Sequence, residues 1–321
     1  MHYRRLGRWG LKISEISLGG WLTFGGQIEE QTAVDIVHAA YAEGVNFLDS
    51  ADVNAGGQGE VVMGKAIKGL PREGLVLSSK VFFPTFPGPN GRGLSRKHIM
   101  EAVHASLKRL DTDYLDIYFC HGYDPDSPYE EVVYAMNTLI QQGKILYWGT
   151  SGWSAAQIST AHGEARRFNL IPPATEQVQY NMFRRHVFEL HLAPLCADRG
   201  LGLMVWGPLA SGVLSGKYNN DLPAGSRATL DGMGWLRDQL TPVRLGKVRQ
   251  LTALASELGL TTAQLAIAWL LHRKDVCTVI TGATSVEQLE ENLEAGEAVA
   301  KLDEDVLERV EEILGNLPED E

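Results

Sequence analysis

Eight short runs of apolar and β-branched residues recur along the chain: "ISLGG", "VNFLDSA", "LVLSSKV", "LDIYFCHG", "ILYWGTSG", "TEQVQYN", "GLMVWGPL" and "TVITGAT". Longer segments of helical period separate them. Runs apolar on both faces, alternating with helices, describe a parallel sheet covered by helices. Eight such units over about 300 residues predict a closed barrel. A doubly wound sheet would require a G-x-G-x-x-G turn after its first strand, and "GGQGE" (56–60) lacks that spacing. The expected fold is therefore α/β, a (β/α)8 TIM barrel in one domain over residues 1–321. It carries an N-terminal β-hairpin, two extra helices and long βα loops.

The hairpin is read from "YRRLG" and "KISEI" flanking "RWGL". Among the helices, "EEQTAVDIVHAAYAEG" places Ala33, Ile36, Val37 and Ala40 on one face, and Gly44 closes it. "RKHIMEAVHASLKRL" does the same with Ile99, Val103 and Leu107, and "PYEEVVYAMNTLIQQG" opens on Pro128. "VRLGKVRQLTALASELG", "TTAQLAIAWLLHR", "SVEQLEENLEAG" and "DEDVLERVEEILGNL" follow, the last with a charged outer face turned from the body. The segments 82–95 and 216–234 are too long for simple βα turns and are expected to shape a site.

A formal net charge of −11 disfavours nucleic-acid phosphates and anionic membrane surfaces as partners. Cys120, Cys196 and Cys277 are odd in number and widely spaced, which suits reduced thiols in a cytoplasmic protein better than a disulfide framework or a metal site. No run has the length and apolarity of a membrane span, and "MHYRRLGRWG" has no signal-peptide core.

Chemistry in a parallel barrel sits at the C-terminal ends of its strands. The runs deliver Asp49, Lys80, His121, Ser151, Gln177, Asn181 and Trp206 there. Asp49 and Lys80 could be a structural ion pair, but an acid, a base and an imidazole at neighbouring strand ends point to catalysis. His186 and His191 in "HVFELH" are five apart, not the four of a zinc-binding H-E-x-x-H, and no metal site is expected.

The set "FLDSAD", "LVLSSKV", "DYLDIYFCHGYDPDSP", "YWGTSGWS", "EQVQYNMFRR", "WGPLASGVLSGKY" and "ITGATSVEQLEEN" resembles the aldo-keto reductases. It is most similar to the branch that holds potassium-channel beta subunits and their bacterial relatives. The resemblance implies NADPH-dependent reduction of aldehydes and ketones, with NADPH/NADP+ as cofactor and a small carbonyl compound as partner. It places Asp49, Lys80 and His121 on three of four catalytic positions, and Asn54 on the fourth, where relatives carry a tyrosine. It implies nicotinamide stacking on Trp206, with Ser151, Gln177 and Asn181 near the carboxamide. Pro208, Leu209 and Ser211 would follow the pyrophosphate. Lys217 and Arg227 would meet the 2′-phosphate, helped by Gly282, Thr284 and Gln288; Glu291 and Asn292 would meet the adenine. Trp21 and Gln27 match pocket positions, with Phe82, Phe83 and Trp235 as further walls. Arg184 and Arg185 are read as ordinary solvated charge. The channel-related branch also implies a tetramer or octamer.

Asn54 strains this reading. A tyrosine beside Lys80 would donate the proton, its pKa of ~10 lowered by the ammonium. An amide donates a hydrogen bond but is no acid at neutral pH. Three accounts stand: an introduced substitution, a natural site in which His121 or a water supplies the proton, or a cofactor-binding sensor module with little turnover. A barrel isomerase or aldolase using Lys80 as a Schiff base is the remaining alternative.

Overall fold

The computed structural model of the chain describes residues 1–319. The hairpin forms from β1 (Tyr3–Arg5) and β2 (Lys12–Ser14), antiparallel with Tyr3 opposite Ser14. Eight parallel strands then close a barrel: β3 (Ile16–Gly19), β4 (Phe47–Asp49), β5 (Val76–Val81), β6 (Leu115–Cys120), β7 (Ile145–Ser151), β8 (Thr175–Gln179), β9 (Gly202–Trp206) and β10 (Val276–Thr281). β10 pairs back onto β3, with Val279 opposite Ile16. All eight expected strands and the hairpin are present, so the fold is the predicted (β/α)8 barrel.

The helices are α1 (Glu30–Ala42), α2 (Gln58–Ala66), α3 (Arg96–Leu110), α4 (Tyr129–Gln141), α5 (Ala155–Arg167), α6 (Ala193–Arg199), the short α7 (Gly234–Arg237), α8 (Pro242–Glu257), α9 (Thr262–His272), α10 (Val286–Leu293), the short α11 (Ala295–Ala298) and α12 (Glu304–Leu314). The two extra helices are α8, inserted before α9, and α12, whose Val306, Val310 and Leu314 are buried. Helices α2, α5 and α6 are absent from the sequence reading. α2 is rich in glycine, and Gly64 is needed there: a Cβ would lie 2.8 Å from Leu110 O, so only glycine lets α2 approach α3 this closely. α5 begins with a full capping box between Ser154 and Gln157, a local signal that was available in the sequence.

Strand alternation sorts the side chains into two layers. Leu48, Leu77, Tyr118 and Val205 face the helices in the main apolar core. Phe47, Val76, Ile117, Phe119 and Met204 face inward and pack with Leu6 and Ile13 of the hairpin. The hairpin thus plugs the N-terminal end of the barrel with apolar side chains. Continuing the inward parity toward the C-terminal ends gives Asp49 after Phe47, Lys80 after Val76 and Ser78, and His121 after Phe119. The same alternation that fills the floor with apolar groups delivers the polar ones to the mouth.

A polar cluster interrupts the outer layer behind that mouth. Glu60 of α2 is fully buried and accepts hydrogen bonds from Ser79 Oγ at 2.5 Å and Arg109 Nε at 2.6 Å. Asp52 is also buried, and neither of its carboxyl oxygens meets a hydrogen-bond donor among the described residues. Burial, then the charge of Glu60, raises its pKa from 3.8 to about 8. Asp52 is therefore a neutral acid at pH 7, in the loop that leads to Asn54.

This sets a pH dependence of known sign. Between pH ~4 and ~8 the folded chain holds a proton on Asp52 that the unfolded chain releases, so stability falls as pH rises, by about 1 kcal/mol per pH unit. Asp52→Asn should abolish that contribution. Urea unfolding at pH 5, 6, 7 and 8 should show a shallower slope in the variant; equal slopes would contradict a buried neutral Asp52.

Candidate active site

One cavity of about 830 Å³ opens at the C-terminal mouth of the barrel. At its closed end lies the pair of Asp49 and Lys80. Lys80 Nζ donates to both carboxylate oxygens of Asp49 at 2.7 Å and to Ser50 O at 2.7 Å. An ammonium has three protons, so every donor of Lys80 is committed. The register of β4 on β5 sets Asp49 beside Ser78, whose hydroxyl donates to Asp49 Oδ1 at 2.6 Å. From across the barrel Gln177 Nε2 donates to the same oxygen at 3.0 Å. Three donor groups make four hydrogen bonds to one carboxylate, which is how a buried charge of this kind is tolerated.

His121 follows β6 on the same wall. Its Nδ1 is buried without a partner among the described residues, and the ring of Phe83 meets it edge-on at 5.0 Å. Burial, then the Lys80 ammonium, pushes its pKa down to about 3, against a smaller opposing effect of Asp49. The imidazole is neutral throughout the physiological range. Asn54 is buried and lines the cavity beside these groups. It starts a tight turn in which Ala55 takes φ 47° and Gly56 and Gly57 take φ 63° and 91°. A Cβ at Gly59 would come within 2.9 Å of Asn54 Cβ, so glycine there lets α2 start against the turn.

Ser151, Trp206, Pro208, Leu209 and Ser211 form the opposite wall, and Gly282, Thr284 and Gln288 its far end. Buried Glu176 fixes the turn after Ser151, accepting from Thr150 Oγ1 at 2.5 Å and Gly152 N at 2.7 Å. Ala210, Ser211 and Gly212 take successive left-handed conformations, with φ 47°, 60° and 94°. For the two residues with a Cβ this costs on the order of 1 kcal/mol each, strain that collects at this wall. Leu22, between cavity residues Trp21 and Thr23, also has positive φ, 66°. Trp21 stands over the mouth edge-on to Trp206, their ring centroids 6.1 Å apart, and Gln27 lines the same side.

Lys217 and Arg227 both face the cavity, and neither pairs with a carboxylate among the described residues. Burial lowers the pKa of each, and for Lys217 the Arg227 charge adds to this. Arg227 sits 5.8 Å above the Trp21 ring. Two uncompensated cations converging on one concavity describe an anion site.

Some expected residues lie elsewhere. Asn292 is buried off the wall, with its Nδ2 3.5 Å from Gly282 O, and Glu291 is also off the wall, its carbonyl accepting from Gln264 at 3.3 Å. Asn181 is spent on its own turn, donating to Gly207 O at 2.9 Å and accepting from Phe183 N at 3.0 Å. Phe83 lines the cavity; Phe82 packs behind it and Trp235 is not on the wall. Arg185 is no solvated charge: it is buried and neutralised by Glu189 at 2.8 Å and Glu311 at 2.5 Å. Arg184, read as surface charge, lines the cavity, as do Gly152, Trp153 and Ser154 after β7. Their positions just beyond strand ends were the available signal.

Residues 15–315 match the aldo/keto reductase family. The chain is 47% identical over 322 residues to a probable voltage-gated potassium channel subunit beta of Arabidopsis thaliana, covering 99% of this chain and 98% of that protein. It is 45% identical, with the same coverage, to a protein of the same description from Oryza sativa subsp. japonica. With a closed parallel barrel, a buried acid–lysine pair at its mouth and a match over nearly its whole length, the chain belongs to the aldo/keto reductase family.

Proposed function

We propose that the cavity binds NADP(H) and that the chain reduces aldehydes or ketones slowly, for want of an acid at Asn54. The observation that carries this reading is the division of one cavity between a buried Asp49–Lys80–Gln177 cluster and the unpaired cations Lys217 and Arg227. The fit to the cofactor is chemical. Ser151 offers a hydroxyl and Gln177 an amide oxygen to a carboxamide, Trp206 an aromatic wall, and the two cations a place for a 2′-phosphate. The bound dinucleotide would supply the hydride.

The chain's own residues must then steady a carbonyl oxygen as it gains charge and deliver a proton to it. Each candidate donor falls short. Neutral His121 can donate a hydrogen bond from Nε2, but its imidazolium does not exist near pH 7. Lys80 has its three protons engaged by Asp49 and Ser50. Asn54 is an amide. The site can therefore orient a carbonyl and exclude solvent on its aromatic side, while the proton has to come from water. This same shortage favours the second reading, a cofactor-binding regulatory module of the kind the channel subunits' name suggests.

Asn54→Tyr should raise kcat for a nitrobenzaldehyde with NADPH by roughly 10²–10⁴-fold, followed by loss of NADPH absorbance. A variant that binds NADPH yet gains nothing would remove Asn54 from the acid position. Charge removal in Lys217→Ala/Arg227→Ala should weaken NADPH by about 10–100-fold and NADH by less than about twofold in equilibrium titration. Equal weakening would refute the 2′-phosphate assignment. Because His121 stays neutral above pH ~4, the rate of the unmodified chain should show no inflection near the ordinary histidine value of ~6.5. A break there would make His121 the acid.

A further inference from the structure

We propose that Arg184 is a third phosphate-binding cation of this cavity and takes the pyrophosphate bridge of the dinucleotide. The proposal rests on the reading that the cavity holds NADP(H), and adds a residue that separates binding of the shared part of the cofactor from recognition of its 2′-phosphate.

Two adjacent arginines have opposite fates. Arg185 turns inward and is neutralised by Glu189 and Glu311. Arg184 stays at the rim, lines the cavity, and pairs with no carboxylate among the described residues. Its one side-chain hydrogen bond among the described residues runs from Nη1 to Gln179 Oε1 at 2.6 Å, which leaves the rest of the guanidinium fork free. A guanidinium held by one neutral amide is positioned without being discharged.

The place where it is held decides its ligand. Arg184 N donates to Asn181 O at 2.9 Å, and Asn181 Nδ2 in turn donates to Gly207 O at 2.9 Å. The amide of Gln179 packs against the same glycine: a Cβ at Gly207 would lie 3.4 Å from Gln179 Nε2. The turn bearing Arg184 is thereby clamped to the end of β9, where the left-handed segment through Ala210, Ser211 and Gly212 begins. β8 lies between β7 and β9 in the barrel. The turn that carries Arg184 follows β8, and so lies between Ser151 at the end of β7, toward the nicotinamide end of the proposed path, and the segment after β9 that carries Lys217 and Arg227, toward its 2′-phosphate end. The dinucleotide has its two bridging phosphates between those ends. At the end of the neighbouring β7, a Cβ at Gly152 would meet nothing within 4 Å, so the wall is open there. The Asp49, Lys80 and His121 cluster lies on β4, β5 and β6, on the other side of the mouth. An acidic group on the substrate would be the competing occupant.

The pyrophosphate is common to NADPH and NADH, so the test differs from that for Lys217 and Arg227. Binding of both dinucleotides to the unmodified chain, Arg184→Gln and Arg184→Lys is measured by quenching of tryptophan fluorescence. Arg184 is exposed, so neither change disturbs the core. Arg184→Gln should weaken NADPH and NADH alike, each by about tenfold, leaving their ratio within about twofold of the original; Arg184→Lys should keep part of the affinity. Weakening of NADPH alone would move Arg184 to the 2′-phosphate and overturn the proposal. So would unchanged binding of both dinucleotides with a raised KM for 4-carboxybenzaldehyde but not 4-nitrobenzaldehyde, which would assign Arg184 to the substrate. Unchanged binding with no effect on either aldehyde overturns it as well. In these cases the reading of the cavity survives; if the unmodified chain binds neither dinucleotide, both fall.

Discussion

The buried ion pair of Asp49 and Lys80 is the constraint around which the mouth of the barrel is arranged. Two charges in this position cost several kcal/mol of desolvation each unless their hydrogen bonds are complete. They are completed from four directions: Ser78 on the same strand as Lys80, the Ser50 carbonyl beyond β4, Gln177 from across the barrel, and the two partners themselves. All of these groups but the Ser50 carbonyl, one residue past β4, sit on strands, which keep so many donors in register. The closed barrel and its apolar floor supply that rigidity. The hairpin matters to the site for the same reason: Leu6 and Ile13 fill the far end, so inward parity begins apolar and turns polar only at the mouth.

The pair also governs the groups beside it. Its ammonium helps hold His121 neutral, and its carboxylate consumes the Gln177 donor that would otherwise point into the cavity. Preorganisation for binding a polar ligand and provision of a proton are separate requirements here. The first is met by Asp49, Lys80, His121 and Gln177 together. The second depends on one side chain, Asn54, in a turn that belongs to none of the strands. On the proposed reading, changing that side chain would leave the scaffold intact, and a family fold and a family cavity would persist around a site with altered turnover.

The barrel was legible because each strand is a local pattern: "LVLSSKV" is apolar or small except for Lys80 and is buried throughout. The convergence of Asp49, Lys80 and His121 followed from strand ends and period-two alternation. What escaped the sequence was non-local. α2 is hidden because its glycines look like loop, and only the approach of α3 explains Gly64. Asp52 reads as one more loop acid until Glu60, Ser79, Arg109 and Tyr118 are seen around it. Nothing in "FRRH" says which arginine turns inward; Arg185 does so toward Glu189, four residues on, and Glu311, which is 126 residues away. Asn181 is expected in the cavity from its place at the end of the sixth barrel strand and from the family resemblance, but the turn it closes claims both ends of its amide.

The charge distribution follows from the same competition between pairing and exposure. The chain carries 40 acids against 29 Lys and Arg, so a cation has many possible partners. Lys65, Arg72, Arg109, Arg185 and Arg309 all find one. Lys217, Arg227 and Arg184 line the same cavity without a carboxylate partner among the described residues. In an acidic protein their field is opposed by the whole surface at long range, and ionic strength screens both beyond about 8–10 Å. Within the cavity the low-dielectric walls concentrate it. Such a site attracts an anion weakly from a distance and holds it strongly on contact, so its selectivity rests on the geometry of the three cations, not on steering. On the proposed reading, a ligand with phosphates at two separated points would engage all three, and a single carboxylate only one.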